Sequence, residues 1–428
     1  MKRSIILITV AFLFTGLSSC KDWLDVTPKT EMKGEVLFSN QAGFRDALIG
    51  VYALMTDAQT YGTELTMASN DIMAQYYDNV QSTVGHSYIQ TANYNYTDAV
   101  VAARFSGIWT QQNKAIANLN LILKFIDEKK AVFTGRHYEL VKGEALALRA
   151  LLHFDLLRLF APSAATGGDR AAIPYVNAYS NVPFPQSSVN QVIDKAMADL
   201  IAAKSLLKMS DPYGPESAMV GADDEYGIFG TRSYRMNYFA VSGLMARIAL
   251  YKGDKPAALT FAKEVIESDL FPMFNGVASN KADYIFPTEQ LFCLRVEGLK
   301  TKYADKFFPD VYDSRSPDQL VLDNATLADI YPAGVNTDYR LQWFEDASSS
   351  SKKVTKYSYN NIIPVIKKSE MYLIAAECEG NVQTAVETYL NVLRAHRGLE
   401  PQDGSSMSQE DPKAEIGREY RREFVAEG

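Results

Sequence analysis

This sequence of 428 residues has few histidines and cysteines and no excess of positive charge. Among its 4 histidines no two stand one helical turn apart, which excludes the metal motif that places two histidines on one helix face. Its 3 cysteines are too few for a disulfide framework. With 43 basic against 51 acidic residues the net charge is −8, so nothing predicts the basic face that a nucleic-acid-binding protein needs. We expect no nucleic-acid partner.

Sequence motifs for catalysis and nucleotide binding are also missing. No Gly-x-Ser-x-Gly elbow, phosphate loop, Gly-x-Gly-x-x-Gly run, paired-cysteine zinc pattern or calcium-binding loop occurs. A glycoside hydrolase needs two carboxylates at a defined separation across a cleft, and no segment singles out such a pair. We therefore expect no catalytic residues, no metal and no cofactor. A surface glycoside hydrolase remains the less favoured alternative.

Long apolar runs are confined to the amino terminus. A basic start precedes an apolar run over residues 5–17, which is shorter than the roughly 20 residues that span a bilayer but fits the core of a signal peptide. The run leads into Leu-Ser-Ser-Cys at residues 17–20, which resembles the lipobox of bacterial lipoproteins. We predict that residues 1–19 are a lipoprotein signal peptide and that Cys20 carries the lipid anchor. An ordinary secretory signal followed by a chance cysteine is the alternative.

Tyrosine is what the chain has in abundance. It holds 25 tyrosines, more than its 21 phenylalanines and far more than its 3 tryptophans. A tyrosine ring offers a flat apolar face and a polar edge, which suits a sugar ring that stacks by one face and hydrogen-bonds around its rim. A tyrosine-rich, acidic, histidine-poor chain is more typical of a binding protein than of a catalyst.

Apolar residues recur with helical spacing over most of the chain. The first such pattern runs from Phe44 to Met55, with Asn40 as its N-cap. The pattern over residues 138–160 is apolar on nearly every side, so we place that helix in the middle of the packing. Further helical patterns cover residues 104–126, 189–207 (capped by Ser187 or Ser188), 236–269, 367–398 and 416–424.

Two of these patterns read as helix pairs. Residues 236–269 have the length of a tetratricopeptide (TPR) unit, about 34 residues. Gly253 breaks the pair, Asp254 caps the second helix and Pro256 sits in its first turn. Residues 367–398 form a second pair. The sequence therefore predicts an all-α dominated chain, a TPR-like scaffold of helical pairs.

Long loops interrupt the predicted helices. They fall at about residues 59–100, 161–186, 209–235 and 271–360. Loops this long within one domain are usually functional. The first of them is especially rich in tyrosine, at positions 61, 76, 77, 88, 94 and 96.

Several separated segments together resemble the RagB/SusD family of outer-membrane nutrient-binding lipoproteins. The resemblance covers essentially the whole chain. Its segments are residues 20–28, Phe38 and 47–52; Trp109, Asn113, 115–118 and Asn120; 143–150 and 154–160; 246–251 and 262–266; and 421–428.

The resemblance implies about eight TPR-like helices with a long irregular loop-rich subdomain, forming one domain over residues 20–428. It implies a lipid-anchored place on the outer membrane, facing the cell exterior, with a TonB-dependent transporter resembling SusC as partner. The cargo would be an oligosaccharide or, as an alternative, a peptide, with no catalysis and no obligatory cofactor. A non-catalytic TPR adaptor with an exposed groove along its helices is a further alternative.

Two departures from the family pattern stand out. Residues 367–370 read Lys-Lys-Ser-Glu where the family has a run like Arg-Leu-Ala-Glu. Family members also continue past the Glu-Gly pair with an Arg/Trp/Asp-Leu segment, whereas this sequence ends at Gly428. We expect a truncation at the carboxyl end.

Loop residues with stacking rings and polar rims are the glycan-binding candidates. Part of the ligand surface falls, by resemblance, in the first long loop, and the aromatic loop over residues 271–360 supplies the rest. The candidates are Asn70, Asp71, Tyr76, Tyr77, Tyr339, Arg340 and Trp343.

Five other residues read as structural, and one as an anchor. Arg149 and His153 share a helix face, and we predict that both have a buried, charge-paired structural role. We predict that Trp109 lies in the core and that Trp23 has an anchoring role near the lipid tether. Cys293 and Cys378 lie in apolar contexts and predict small buried side chains rather than reactive thiols.

Overall fold

Long helices dominate the computed structural model, which describes residues 34–217, 230–276, 280–332, 337–407 and 411–428. None of the helices within these ranges combines the length and apolar character that crossing a membrane takes. The predicted signal peptide, Cys20 and Trp23 lie outside the described residues. The longer helices are α1 (Gln41–Met55), α2 (Ala99–Glu128), α3 (His137–Phe160), α4 (Val189–Ser210), α5 (Tyr238–Lys252), α6 (Lys255–Ile266), α7 (Lys368–Cys378), α8 (382–396) and α9 (Asp411–Phe424).

The helices pack in chain order. Each of α1 to α7 contacts the helix that follows it, and α9 returns to pack on α7. A stack in which every unit contacts its neighbours along the chain is the arrangement of TPR-like repeats. The predicted fold class, a helical TPR-like scaffold with long irregular insertions, is confirmed.

Short strands and short helices occupy the insertions. Within the described ranges three small antiparallel sheets form, with strand orders β1–β2, β3–β7 and β4–β6–β5. The strands are β1 (Ala171–Pro174), β2 (Gln186–Ser188), β3 (Gln290–Arg295), β4 (Leu322–Asp323), β5 (Phe344–Asp346), β6 (Ser351–Val354) and β7 (Ile362–Lys367). The first long loop contains three short helices, Ser69–Met73, Asn79–Ser82 and Ile89–Ala92. Sequence periodicity did not predict these pieces, because each is too short to show a repeat.

Helix ends follow the predicted caps. The Asn40 side chain accepts a hydrogen bond from the Gly43 amide at 3.1 Å and begins α1. Ser188 begins α4 with a complete capping box. Gly253 ends α5 at a φ of +87°, a left-handed conformation that favours glycine, and Asp254 then caps α6.

Helix α3 lies in the middle of the packing, as its pattern predicted. It buries polar groups as well as apolar ones. Arg149 forms two hydrogen bonds with the Asp199 carboxylate, both 2.7 Å long. His153 accepts from the Val176 amide through Nε2 at 2.9 Å, and burial lowers the pKa of its ring to about 3. Arg149 has the buried, charge-paired role that we expected, whereas His153 is buried but neutral and is held by backbone hydrogen bonds instead of a charge pair.

A buried group of paired charges joins α9 to the rest of the molecule. The Arg397 guanidinium contacts the Glu289 carboxylate at 2.7 Å and the Glu423 carboxylate at 2.8 Å, and all three side chains are inaccessible to solvent. Such pairs offset the cost of burying each charge alone. We call this group the charge cluster; its members are Glu289, Asp338, Arg340, Lys367, Arg394, Arg397, Glu415, Glu419, Arg422 and Glu423.

Candidate functional site

Arg340 and Trp343, two of the predicted glycan contacts, are buried. Arg340 belongs to the charge cluster and bonds Asp338 at 2.7 Å and Glu419 at 2.8 Å. Trp343 donates its indole N–H to the Tyr284 carbonyl at 2.6 Å, and the Lys356 ammonium lies 3.6 Å from the ring centre. Neither side chain reaches the surface, so neither can stack on a ligand in this conformation. The sequence predicted a loop at both positions, but this loop folds into the interior of the protein.

Asp71 and Tyr77 are buried as well. The Asp71 carboxylate accepts hydrogen bonds from the Ala426 amide, from the Gly428 amide at 3.2 Å and from the Tyr77 hydroxyl at 3.3 Å. Burial raises the pKa of Asp71 to about 7, against these hydrogen bonds. The pair therefore ties the first long loop to the residues that follow α9, which is a structural role.

The remaining three candidates, Asn70, Tyr76 and Tyr339, are half-buried. Asn70 donates to the Leu65 carbonyl at 3.2 Å. Tyr76 hydrogen-bonds Arg421, and burial raises the pKa of the Tyr76 hydroxyl to about 12. Tyr339 packs against Gly398, where an added Cβ would touch its ring. The structure thus brings Asn70, Asp71, Tyr76 and Tyr77 into one region of the fold but leaves little of them accessible.

Exposed aromatic rings in the first long loop belong instead to Tyr94 and Tyr96, whose exposed fractions are 49% and 55%. Uncharged polar side chains surround them. Asn95 donates to the Gln90 side chain at 3.0 Å, and Thr97 donates to Asn95 at 2.8 Å. We call this the tyrosine surface; its members are Gln75, Gln90, Asn93, Tyr94, Asn95, Tyr96 and Thr97.

Two left-handed residues hold the tyrosine surface in place. Gln75 has a φ of +61° and Tyr94 a φ of +54°, an unfavourable conformation for residues other than glycine. The Gln75 amide donates to the Ala92 carbonyl at 2.9 Å, and the Tyr94 hydroxyl donates to the Met73 carbonyl at 2.6 Å. Backbone strain that the surrounding contacts maintain is typical of binding sites.

A row of edge-to-face rings leads from the tyrosine surface toward the scaffold. The ring of Tyr96 lies 5.7 Å from Phe105, Phe105 lies 6.2 Å from Phe160, and Phe160 lies 5.2 Å from Trp109. Trp109 is half-buried, so its predicted core position is only partly correct. The row of contacts connects the exposed Tyr96 ring to the helical scaffold.

A cavity of about 590 Å³ opens next to the tyrosine surface, and Met73 borders both. Aromatic rings form much of its wall, and Asn70 adds an amide. Its charged groups are paired with opposite charges: Asp155 with Arg158, Arg247 with Glu370, and Lys367 with Glu427. The rings are those of Tyr61, Phe154, Tyr251, Tyr420 and Phe424.

Cysteine and metal-ligand side chains do not form a site in the described ranges. No group of three or more histidine, cysteine, aspartate or glutamate side chains there has the geometry to hold a metal ion. Cys293 and Cys378 are buried, as predicted, and burial raises the pKa of the Cys378 thiol to about 11. The Cys293 thiol pKa is also raised by burial. Neither thiol is set up to react.

Sequence reasoning identified the loop that holds the tyrosine surface but not the residues in it. The excess of tyrosine over residues 59–100 was the signal, and it includes Tyr94 and Tyr96. Neighbouring tyrosines of the same loop, Tyr61 and Tyr88, are buried. Without periodicity no pattern separates exposed rings from buried ones.

Comparison with known proteins gives matches along most of the chain. The family model described as "Starch-binding associating with outer membrane" matches residues 22–215, and the model described as "SusD family" matches residues 303–428. The SusD-like protein P25 of Formosa agariphila is 21% identical over 164 residues. That match spans 36% of this chain and only 30% of the length of the relative.

Solved structures match over nearly the full length. A SusD superfamily protein from Bacteroides thetaiotaomicron has a TM-score of 0.70 at 20% identity, covering 91% of this chain and 87% of its own. A SusD-like carbohydrate binding protein from Bacteroides vulgatus has a TM-score of 0.68 at 19% identity, covering 91% and 82%. These likenesses show a shared fold.

The family assignment rests on agreement between independent parts of the molecule. The two family models lie on separate stretches, one on the first four helices and the other on the last three with part of the loops before them. The second model is that of the SusD family, the first is a SusD-like model, and the helical stack has the fold of solved SusD superfamily structures. The chain belongs to the RagB/SusD family.

Proposed function

We propose that this chain is a non-catalytic, cell-surface lipoprotein that captures oligosaccharides on its tyrosine surface and delivers them to a SusC-like, TonB-dependent outer-membrane transporter. Family membership supports the general role. The observation that carries the site is the pair of exposed rings, Tyr94 and Tyr96, bordered by amide and hydroxyl groups. A sugar stacks on such rings and hydrogen-bonds to such a rim.

The acidic residues near the tyrosine surface are engaged in structural contacts. The Asp98 carboxylate caps α2 by accepting from the Val100 amide at 2.9 Å and the Val101 amide at 3.2 Å. Glu64 accepts from the Tyr88 hydroxyl at 2.9 Å. A glycoside hydrolase would need a facing pair of carboxylates free to act on a glycosidic bond. This arrangement supports binding without turnover.

Glycan binding is tested by titration calorimetry with the strongest ligand from a glycan array. Because a stacked ring contributes about 0.5–1.5 kcal/mol, Tyr94→Ala and Tyr96→Ala should each weaken binding about two- to tenfold. Tyr179→Ala is the matched control, since Tyr179 is 53% exposed but lies on a different loop. Equal affinity in all four proteins would exclude the tyrosine surface, and released product after long incubation would show an enzyme.

Peptide is the alternative cargo, and a peptide array tested beside the glycan array distinguishes the two. Binding only to peptides, weakened by the same tyrosine substitutions, would keep the site and change the ligand class. Binding to neither array, with recovery of soluble proteins from pull-downs, would favour the adaptor alternative.

The anchor and the transporter are tested in cells. Labelling with a fatty-acid analogue should mark the wild-type protein and leave Cys20→Ala unmarked, because lipidation requires the cysteine thiol. Purification from outer membranes in mild detergent should recover a large β-barrel protein in near-equal amount. Equal labelling of both proteins, or recovery of this chain alone, would contradict the respective part of the proposal.

A further inference from the structure

Positive charge is absent from the segment that forms the tyrosine surface. No lysine or arginine occurs between Arg45 and Arg104, although the chain has 43 basic residues in all. The tyrosine surface lies wholly within this gap. Any cation that meets a ligand there must therefore come from another segment.

Three arginines of other segments lie near this region in the described part of the chain, and each has a protein partner. Arg104 lies over the Tyr88 ring at 3.8 Å and donates to the Thr91 hydroxyl at 2.8 Å, and only 12% of its side chain is exposed. Arg158 lines the cavity, where it pairs with Asp155, and 40% of its side chain is exposed. Arg421, next to Tyr76, bonds Asp329 at 2.8 Å.

The tyrosine surface itself offers a ligand only uncharged side chains. The polar groups of the tyrosine surface are the exposed amides of Gln75, Asn93 and Asn95, the exposed hydroxyl of Thr97 and the half-buried amide of Gln90. The nearest ionisable group along the chain is the Asp98 carboxylate, and the whole chain carries a net charge of −8. Recognition of a sulfate or carboxylate relies on arginine or lysine, whose charged hydrogen bonds are roughly twice as strong as neutral ones.

We infer that the tyrosine surface selects neutral glycans and rejects sulfated or uronate-containing ones. This rests on the proposed function and narrows its substrate class. An anionic sugar stacked on Tyr94 or Tyr96 would lose hydration without gaining a counter-charge from the tyrosine surface. A neutral sugar does not lose the hydration of a charged group, and it gains the same stacking and amide hydrogen bonds.

The test is affinity electrophoresis in gels that contain one polysaccharide each. Neutral gels hold starch, xyloglucan or galactomannan, and anionic gels hold alginate, polygalacturonate or a sulfated galactan. We expect retardation in at least one neutral gel, lost or weakened in Tyr94→Ala and Tyr96→Ala and unchanged in Tyr179→Ala. Binding to the anionic gels should be about tenfold weaker or more at every salt concentration.

A single added cation provides the positive control. Asn93→Lys places an ammonium beside the exposed rings at an exposed position. We expect this variant to gain anionic binding that falls as salt is raised. If the wild-type protein binds an anionic polysaccharide as tightly as Asn93→Lys does, and both tyrosine substitutions remove that binding, the inference of neutral selectivity is overturned while the glycan-binding function stands. Absence of binding in every gel would overturn the proposed function itself.

Discussion

Individual tyrosines in the first long loop serve two purposes that their sequence does not distinguish. The hydroxyls of Tyr61, Tyr77 and Tyr88 donate to the buried carboxylates Asp155, Asp71 and Glu64. These rings act as neutral donors that keep a carboxylate satisfied inside the protein. Tyr94 and Tyr96 point outward. The abundance of tyrosine predicted a binding loop, yet most of these rings hold the loop together.

The difference between a bonded and an unbonded buried hydroxyl can be measured. Tyr61 donates to Asp155, whereas the buried hydroxyl of Tyr420 finds no hydrogen-bond partner among the described residues. We expect Tyr61→Phe to lower the free energy of unfolding by about 1–3 kcal/mol, because a buried carboxylate loses a donor. Tyr420→Phe should change it by less than about 0.5 kcal/mol, since no bond is lost.

Urea denaturation of the two variants, beside the wild-type protein, measures both values. A cost for Tyr420→Phe as large as that for Tyr61→Phe would mean that the Tyr420 hydroxyl has a partner in solution, and the cavity that it lines would then be the place to look for one.

At the scale of elements, the helices could be predicted because the sequence signals that specify a helix act locally. The 3.6-residue period, the Asn40 cap, and the Gly253 and Asp254 corner all act within a few residues of where they stand. The insertions carry no such period. Strand β3 pairs with β7, and the residues between them include the loop that buries Trp343. That pairing joins distant segments, so no local pattern could predict which loop residues turn inward.

Two glycines of helix α1 are expected to respond in opposite directions to the same substitution. Gly50 is exposed and a Cβ there would meet open space, so Gly50→Ala should raise the free energy of unfolding by about 0.5–1 kcal/mol through helix propensity. At Gly43 a Cβ would overlap the backbone carbonyl of Leu37. Gly43→Ala should therefore lower the free energy of unfolding by about 1–3 kcal/mol.

Thermal melting of both variants checks the pair, with each serving as the control for the other. A melting temperature that rises in both would show that the Gly34–Leu37 helix, which precedes α1, can move aside without cost.

At the scale of the whole molecule, the charge cluster makes stability depend on acidity. Glu423 contacts Arg397, Lys367 and Arg340, and the Arg397 charge in particular holds the pKa of this carboxyl well below its ordinary value of 4.5 despite burial. A depressed folded-state pKa contributes stability above the unfolded-state value. That contribution is lost as the pH falls below about 4.5 toward the folded-state value.

Glu423→Gln removes the charge and keeps the shape. We expect it to lower the free energy of unfolding at pH 7 by about 3–5 kcal/mol, because buried cations lose their counter-charge. The difference from the wild-type protein should shrink as the pH falls below 4.5, where the wild-type carboxylate also becomes protonated in the unfolded state. Glu387→Gln, at an exposed position of α8, is the control and should change little. A deficit that stays constant with pH would contradict the assignment of this effect to charge.

The gap between Arg45 and Arg104 has a consequence for survival outside the cell. Proteases of the trypsin class cut only after lysine or arginine, and exposed loop tips are where such nicking usually starts. The loop that carries Tyr94 and Tyr96 is exposed, yet it offers those enzymes no bond to cleave. In an environment rich in digestive trypsin, the loop that carries the proposed binding surface would be left intact by this class of enzyme.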